Sequence, residues 1–265
     1  MTQLDPNDIW PLADSLADAA RAAILPYFRQ AELDTSNKDA DGFDPVTAAD
    51  RAAEQAIRDI LAAERPDDGI VGEEYGTQQG SSALRWVIDP IDGTRGFITG
   101  TPTWGVLIAL CDADGPVLGI IDQPYIGERF SGGLGRSEIV GPLGAAPLGV
   151  RGTQSLQDAL LFTTFPEVGS PQERRAFEAV AADVQLTRYG CDCYAYGLLA
   201  AGQADLVIEA GLNAYDICAP IAVIEAAGGI VTDWTGAPVH DGGRVLAAAT
   251  PKLHQAAMAR LQDAL

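Results

Sequence analysis

The segment Trp86-Val87-Ile88-Asp89-Pro90-Ile91-Asp92-Gly93-Thr94 constrains the fold of this 265-residue chain more than any other. Leu84 to Ile88 reads as a buried strand that delivers Asp89 at its end. Pro90 has no N–H with which to continue a ladder, Asp92 lies three residues on, and Gly93-Thr94 can open a short helix or turn. Two carboxylates and the Ile91 carbonyl can then point at one spot. All-oxygen ligands suit Mg²⁺, which binds through carboxylates and substrate phosphate while keeping several waters. The N–H groups of Gly93 and Thr94 could face a phosphate at a helix N-terminus. Taken alone, the same residues are also good turn chemistry.

Hydrophobic periodicity sets the surroundings. Ile9, Leu12, Leu16, Ala20, Ala23, Ile24 and Tyr27 recur at helical spacing, and Thr47 to about Ala63 reads as a second helix beyond a polar loop, Asp34 to Asp44, that carries Lys38. Ile70-Val71-Gly72 is a short strand, Trp104 to Tyr125 a hairpin, and Arg129 to Val140 further strands. After a soft boundary near 145–152 strands and helices alternate. Leu160–Thr164, Ala204–Ile208 and Ile230–Thr232 read as strands. Pro171–Ala182, Cys193–Ala201, Asp216–Ala227 and a closing segment from Pro251 read as helices. This predicts a β-rich first half and an α/β second half.

Charge removes whole classes of function. With 37 acidic against 17 basic side chains the net charge is −20, which argues against nucleic-acid and anionic-membrane partners. The first twenty residues hold no Lys or Arg, and no apolar run reaches the roughly 18–20 residues a membrane span needs. Cys111, Cys191, Cys193 and Cys218 match no zinc or redox spacing, so a cytoplasmic protein with free thiols is expected. His240 and His254 are the only histidines and no G-x-S-x-G occurs, which disfavours a Ser-His-Asp or Cys-His enzyme.

Carboxylates are what the chain has in abundance. Gly72-Glu73-Glu74 follows a strand directly, and is either a ligand pair or a solvated loop. Asp50, three residues after Thr47, fits a capping box. Asp216 at a helix start would suit the helix dipole without any further role.

Together these segments resemble the inositol monophosphatase-type, magnesium-dependent phosphatases over roughly Lys38 to Gly236. The strongest tokens are Gly72-Glu73-Glu74, Asp89-Pro90-Ile91-Asp92-Gly93-Thr94, and Tyr215-Asp216 ahead of Ala226-Ala227-Gly228-Gly229. Tyr215 stands where the family has Trp. The resemblance implies a layered α-β-α-β-α sandwich forming a single domain over 1–265, with halves meeting near 148. It implies two or three Mg²⁺ held by Glu73, Asp89, Asp92, Asp216 and the Ile91 carbonyl. Asp50, Thr94 and Glu73 then form the catalytic set, Asp50 and Thr94 being the pair that orients and deprotonates water. Gly93 and Thr94 would hold the phosphate, and Glu74 would support the ligands from behind.

Arg95 after Gly-Thr, and Gly190-Cys191-Asp192-Cys193-Tyr194-Ala195-Tyr196, resemble the histidinol-phosphatase branch of that family, with Gly96 in place of an expected Ala. Asp192 and Glu209 fall where the family contacts the organic part of the substrate. Histidinol phosphate carries an ammonium and an imidazole, which acidic residues would attract; inositol offers hydroxyls only. The expectation is therefore a phosphomonoesterase for L-histidinol phosphate, with an inositol-1-phosphate phosphatase as the enzymatic alternative and a silent metal- or ligand-binding protein as the different-class one. Arg95 and Arg188 read as surface or ion-pair residues, and a homodimer is implied by resemblance only.

Overall fold

A computed structural model describes residues 4–30, 35–37 and 45–265. Lys38 and most of the Asp34–Asp44 loop lie outside the described residues. In the first half the elements are α1 (Pro6–Ile24), β1 (Thr35–Asn37), β2 (Pro45–Thr47), α2 (Ala48–Glu64), β3 (Gly69–Gly72), β4 (Gly76–Gln78) and β5 (Arg85–Asp92). They continue with α3 (Thr94–Thr99), β6 (Gly105–Cys111), β7 (Pro116–Gln123), β8 (Glu128–Gly133), β9 (Arg136–Gly141) and β10 (Gly144–Pro147). β3 to β10 form one mixed sheet in the order β10-β9-β8-β7-β6-β5-β3-β4, in which β3 and β5 run parallel.

The second half comprises β11 (Leu160–Thr163), α4 (Pro171–Ala181), β12 (Leu186–Tyr189), α5 (Cys193–Ala200), β13 (Leu206–Asn213), α6 (Ala214–Ala226), β14 (Ile230–Thr232), β15 (Gly242–Ala248) and α7 (Pro251–Ala264). Its sheet has the order β12-β11-β13-β15-β14, with β11 parallel to both neighbours and β15 antiparallel to β13 and β14.

Period-two alternation decides what each sheet face packs against. On β5 and β6, Trp86, Ile88, Val106, Ile108 and Leu110 point to α1 and α2. Val87, Leu107, Ala109 and Cys111 point the other way, to α5 and α6. On β13 and β15, Val207, Val245 and Ala247 face α5 and α6, whereas Leu206, Ile208, Leu246 and Ala248 face α4 and α7. The layers therefore run helix, sheet, helix, sheet, helix, which is the expected sandwich. Burying one large apolar side chain contributes roughly 1.5–3 kcal/mol, so a one-residue slip in β5 would exchange two cores at once.

α6 lies directly on the large sheet. A Cβ at Gly119 or Gly132 would come within 2.3 Å of the Ala219 carbonyl oxygen or 2.4 Å of the Val223 Cα, so two side-chain-free positions set the height of this helix and of the residues at its N-terminus.

β5 departs from expectation. It does not stop at Asp89: the strand runs on to Asp92 through an irregularity in which Asp89 faces Leu107 and Asp92 faces Gly105. Three steps on β5 match two on β6. This bulge accommodates Pro90 and re-aims the two carboxylates. β15 is a further strand that its local pattern does not predict, and β13 extends five residues beyond the expected Ile208.

Candidate active site

Each acidic residue is delivered by the end of a regular element. Asp89 and Asp92 flank the β5 bulge, where the Asp89 Oδ1 accepts the Ile91 N–H at 3.1 Å and ties the chain back across Pro90. Glu73 follows β3. Asp216 is the third residue of α6, and its Oδ2 accepts the Asn213 N–H at 2.6 Å. Asp50 occupies the same position in α2, accepting the Thr47 N–H at 2.8 Å and the Thr47 hydroxyl at 2.6 Å. Both helices thus begin with a capping box, the one at Thr47 as expected from sequence, and both carboxylates also neighbour the acidic cluster.

Asp89, Asp92 and Asp216 each offer a carboxylate oxygen within 4.8 Å of the others, so this trio could hold a metal ion. Glu73 joins from the side, hydrogen-bonding to Asp89, which also contacts Asp216. Burial drives Asp89 and Asp92 well above the ordinary carboxylate range. The charges of Glu73, Asp92 and Asp216 add to this at Asp89, and those of Asp192 and Asp216 at Asp92. Asp216 is pushed up to about 6 by burial and by Glu73, against the hydrogen bond from Asn213. Asp50 is also raised to about 6, by burial opposed by the two Thr47 hydrogen bonds, with a smaller push from Glu73. Such acids must either hold protons or share a cation. The donor set is oxygen-only and hard, which fits Mg²⁺ better than softer metals.

These groups open into a cavity of about 380 Å³. Glu73, Asp89, Ile91, Asp92, Gly93 and Thr94 from the first half line it together with Asp192, Glu209 and Asp216 from the second. The expected metal and substrate residues are thus brought together; Asp50 lies behind Glu73 rather than on the wall. The Thr94 hydroxyl donates to the Ile91 carbonyl at 3.0 Å, whereas the Asp50 carboxylate accepts from Thr47, so the expected Asp50–Thr94 pair is not joined directly. Glu74 is not among the cavity-lining residues, and its N–H donates to Glu54 at 2.7 Å.

Gly93 has φ +86°, and a Cβ there would lie 2.9 Å from the Asp192 carboxylate carbon. A side chain at this turn would be strained and crowded, and Asp192 packs on it. Asp192 itself has φ +46° beside Cys191 at +102°, a strained pair that turns its side chain inward. Burial raises Asp192 to about 6 against the pull of Arg95. Burial likewise raises Glu209 to about 7, opposed by hydrogen bonds of 2.8 Å from the Thr164 N–H and hydroxyl.

Arg95, expected to be a surface or ion-pair residue, is exposed and also lines the cavity, its guanidinium 4.8 Å from the centre of the Phe165 ring. Arg188 lies on β12 and does not line it. Thr164 and Phe165 are wall residues that sequence reasoning does not single out, whereas Tyr215, noted beside Asp216, also lines the wall. A polar or aromatic residue just after a strand is the available signal, though a weak one. All four cysteines are free, and among the described residues no helix is long and apolar enough to cross a membrane.

Comparison with known proteins places this arrangement. The model of the inositol monophosphatase family matches residues 6–265. The bifunctional phosphatase IMPL2 of Arabidopsis thaliana, named as chloroplastic, is 42% identical over 262 residues, covering 95% of this chain and 74% of that protein. A histidinol-phosphatase of Mycobacterium tuberculosis is 34% identical over 258 residues, covering 96% and 98%. The solved structure of an inositol monophosphatase from Zymomonas mobilis superposes with a TM-score of 0.86 at 40% identity, covering 98% of this chain and 100% of that one. With the carboxylate cluster, the layered fold and the family match in agreement, the chain belongs to the inositol monophosphatase family and is a phosphatase.

Proposed function

We propose that this chain is a Mg²⁺-dependent phosphomonoesterase that hydrolyses L-histidinol phosphate to L-histidinol and phosphate. The observation that carries the substrate is the acidic lining: Asp192 and Glu209 share the cavity with the Asp89–Asp92–Asp216 cluster. A phosphate drawn to the metal leaves the organic group near a half-buried and a buried carboxylate, Asp192 and Glu209, which favours an ammonium or imidazolium over a neutral polyol.

Glu73, Asp89, Asp92, Asp216 and the Ile91 carbonyl would hold two or three Mg²⁺. The metal supplies charge for the phosphate oxygens and acidifies water. The remaining work belongs to the chain. The Gly93 and Thr94 amides orient the phosphate, and Asp50, raised to about 6, would accept a proton near neutral pH once the Thr94 hydroxyl turns from the Ile91 carbonyl to join it. Asp192 and Glu209 fix the alcohol portion, with Arg95 holding Asp192 toward its charged form. One domain over the whole chain, a cytoplasmic setting and a homodimer belong to the same reading; the first two draw on the full-length family match and on the bacterial histidinol-phosphatase relatives, the last on resemblance alone.

A second reading, an inositol-1-phosphate phosphatase, is favoured by the Zymomonas mobilis structure. Phosphate release from both substrates, with and without Mg²⁺, separates the two. Histidinol phosphate is expected to turn over with the higher kcat/KM and only with metal; equal or better turnover of inositol 1-phosphate overturns the assignment. Asp89→Asn should abolish turnover, and an active variant would refute the ligand set.

A further inference from the structure

Glu54 is a carboxylate with no part in that chemistry, although it is completely buried. It sits on α2 four residues after Asp50, hence on the same helix face. Its Oε2 accepts the Glu74 N–H at 2.7 Å and its Oε1 the Tyr75 N–H at 3.1 Å. Arg58, one turn further, donates its Nε to the Glu54 Oε1 at 2.8 Å and a terminal N–H to the Gly76 carbonyl. The whole turn from Gly72 to Gly76 is thereby held by one helix. Gly72 shows how closely: a Cβ there would lie 2.0 Å from the Glu54 Oε1.

Glu73 lies between these anchors. Its amide donates to the Ile88 carbonyl at 3.2 Å, the next two amides are bound by Glu54, and its side chain acts on both Asp50 and Asp89. A flexible glutamate after a short strand is therefore given one position. Charge-assisted hydrogen bonds from backbone amides are short and strong, and losing a group that orients a metal ligand typically costs roughly ten- to a hundredfold in metal affinity or activity.

We propose that Glu54 is a positioning residue for the metal site: it clamps the Gly72–Gly76 turn onto α2 so that Glu73 is presented to the cation, and Gly72 is the space its carboxylate occupies. The inference rests on Glu73 being a ligand, so the test also reads the clamp directly.

Glu54→Gln keeps the volume but sets an NH₂ against at least one of the donors; Gly72→Ala pushes a methyl into the carboxylate. Mn²⁺ binding, followed by electron paramagnetic resonance of the free ion, is expected to weaken roughly ten- to a hundredfold in each folded variant. The double variant Glu54→Ala/Gly72→Ala should bind no more weakly than Glu54→Ala, because the methyl then has room. If Glu54→Ala does not fold, Glu54→Gln against Gly72→Ala carries the comparison. Unchanged Mn²⁺ affinity in either folded single variant, with or without a lower Tm, overturns the proposal, as do effects that multiply in the double variant. Hydrogen exchange at the Glu74 and Tyr75 amides should accelerate in Glu54→Gln. Wild-type protection there refutes the clamp, whereas absence of Mn²⁺ binding to the unaltered protein refutes the metal-site reading instead.

Discussion

Asp50 and Asp216 each cap a helix and border the acidic cluster with one carboxylate, and that double placement explains what can be read from single residues. A carboxylate three residues after an N-cap is what a capping box requires, so the sequence alone does not separate cap from site. The structure needs no choice, because the cap fixes the side chain beside Glu73 and Asp89. Asp89 and Asp92 are legible because Pro90 and Gly93 dictate the turn that joins them. Asp192 is legible only by resemblance, since its direction depends on two positive φ values in non-glycine residues. Its role in selectivity is open to direct measurement. Asp192→Asn removes charge while keeping size, and should raise KM for histidinol phosphate roughly tenfold or more, the loss of about 1.4 kcal/mol or above of ionic attraction. KM for inositol 1-phosphate should move less than about threefold, since that substrate presents no cation. Equal losses on both substrates in steady-state assays would mean that Asp192 only supports the turn.

Elements are legible where local pattern and tertiary demand agree. α1, α2, α4 and α7 have apolar stripes and capped starts, and their spans follow expectation closely. β15 begins Gly-Gly and ends Ala-Ala, with few β-branched residues; it is a strand because β13 and β14 supply its ladder on both sides. The sequence misleads at Pro90 in β5 because a missing N–H usually ends a strand, whereas here a bulge absorbs it. The passage from β5 into α3 depends on Gly93. Gly93→Ala would meet both the left-handed backbone cost of roughly 1–2 kcal/mol and the Asp192 side chain. The variant should fold with a lower Tm and lose at least roughly tenfold in kcat/KM through misplaced Gly93 and Thr94 amides. A variant with unchanged kcat/KM would show that this turn does not hold the phosphate.

At the scale of the whole molecule the net charge of −20 becomes a statement about where protons and cations sit. The cavity draws Glu73, Asp89 and Asp92 from one sheet and Asp192, Glu209 and Asp216 from the second half, so any cation bound there ties the two halves together. Burial holds Asp50, Asp192 and Asp216 at about 6 and Glu209 at about 7. Each acid thus keeps a proton in the folded state at a pH where the unfolded chain has released it. Stability from such groups is complete below the ordinary carboxylate range and is lost as pH rises through 6 to 7. For one buried carboxyl moved from 3.8 to about 6 the effect is about 3 kcal/mol. Mg²⁺ needs the deprotonated form and binds only the folded chain, and saturation at a hundredfold over Kd returns about 2.7 kcal/mol. In EDTA, calorimetric Tm should therefore fall by roughly 5–10 °C between pH 5 and 7.5. Millimolar Mg²⁺ should recover most of that loss at pH 7.5 and add little at pH 5, where protons already occupy the cluster. Asp89→Asn should flatten the response to Mg²⁺ at both values. A Mg²⁺ shift of equal size at pH 5 and pH 7.5 would mean that the cation binds carboxylates outside this cavity, among those left ionised on an acidic surface.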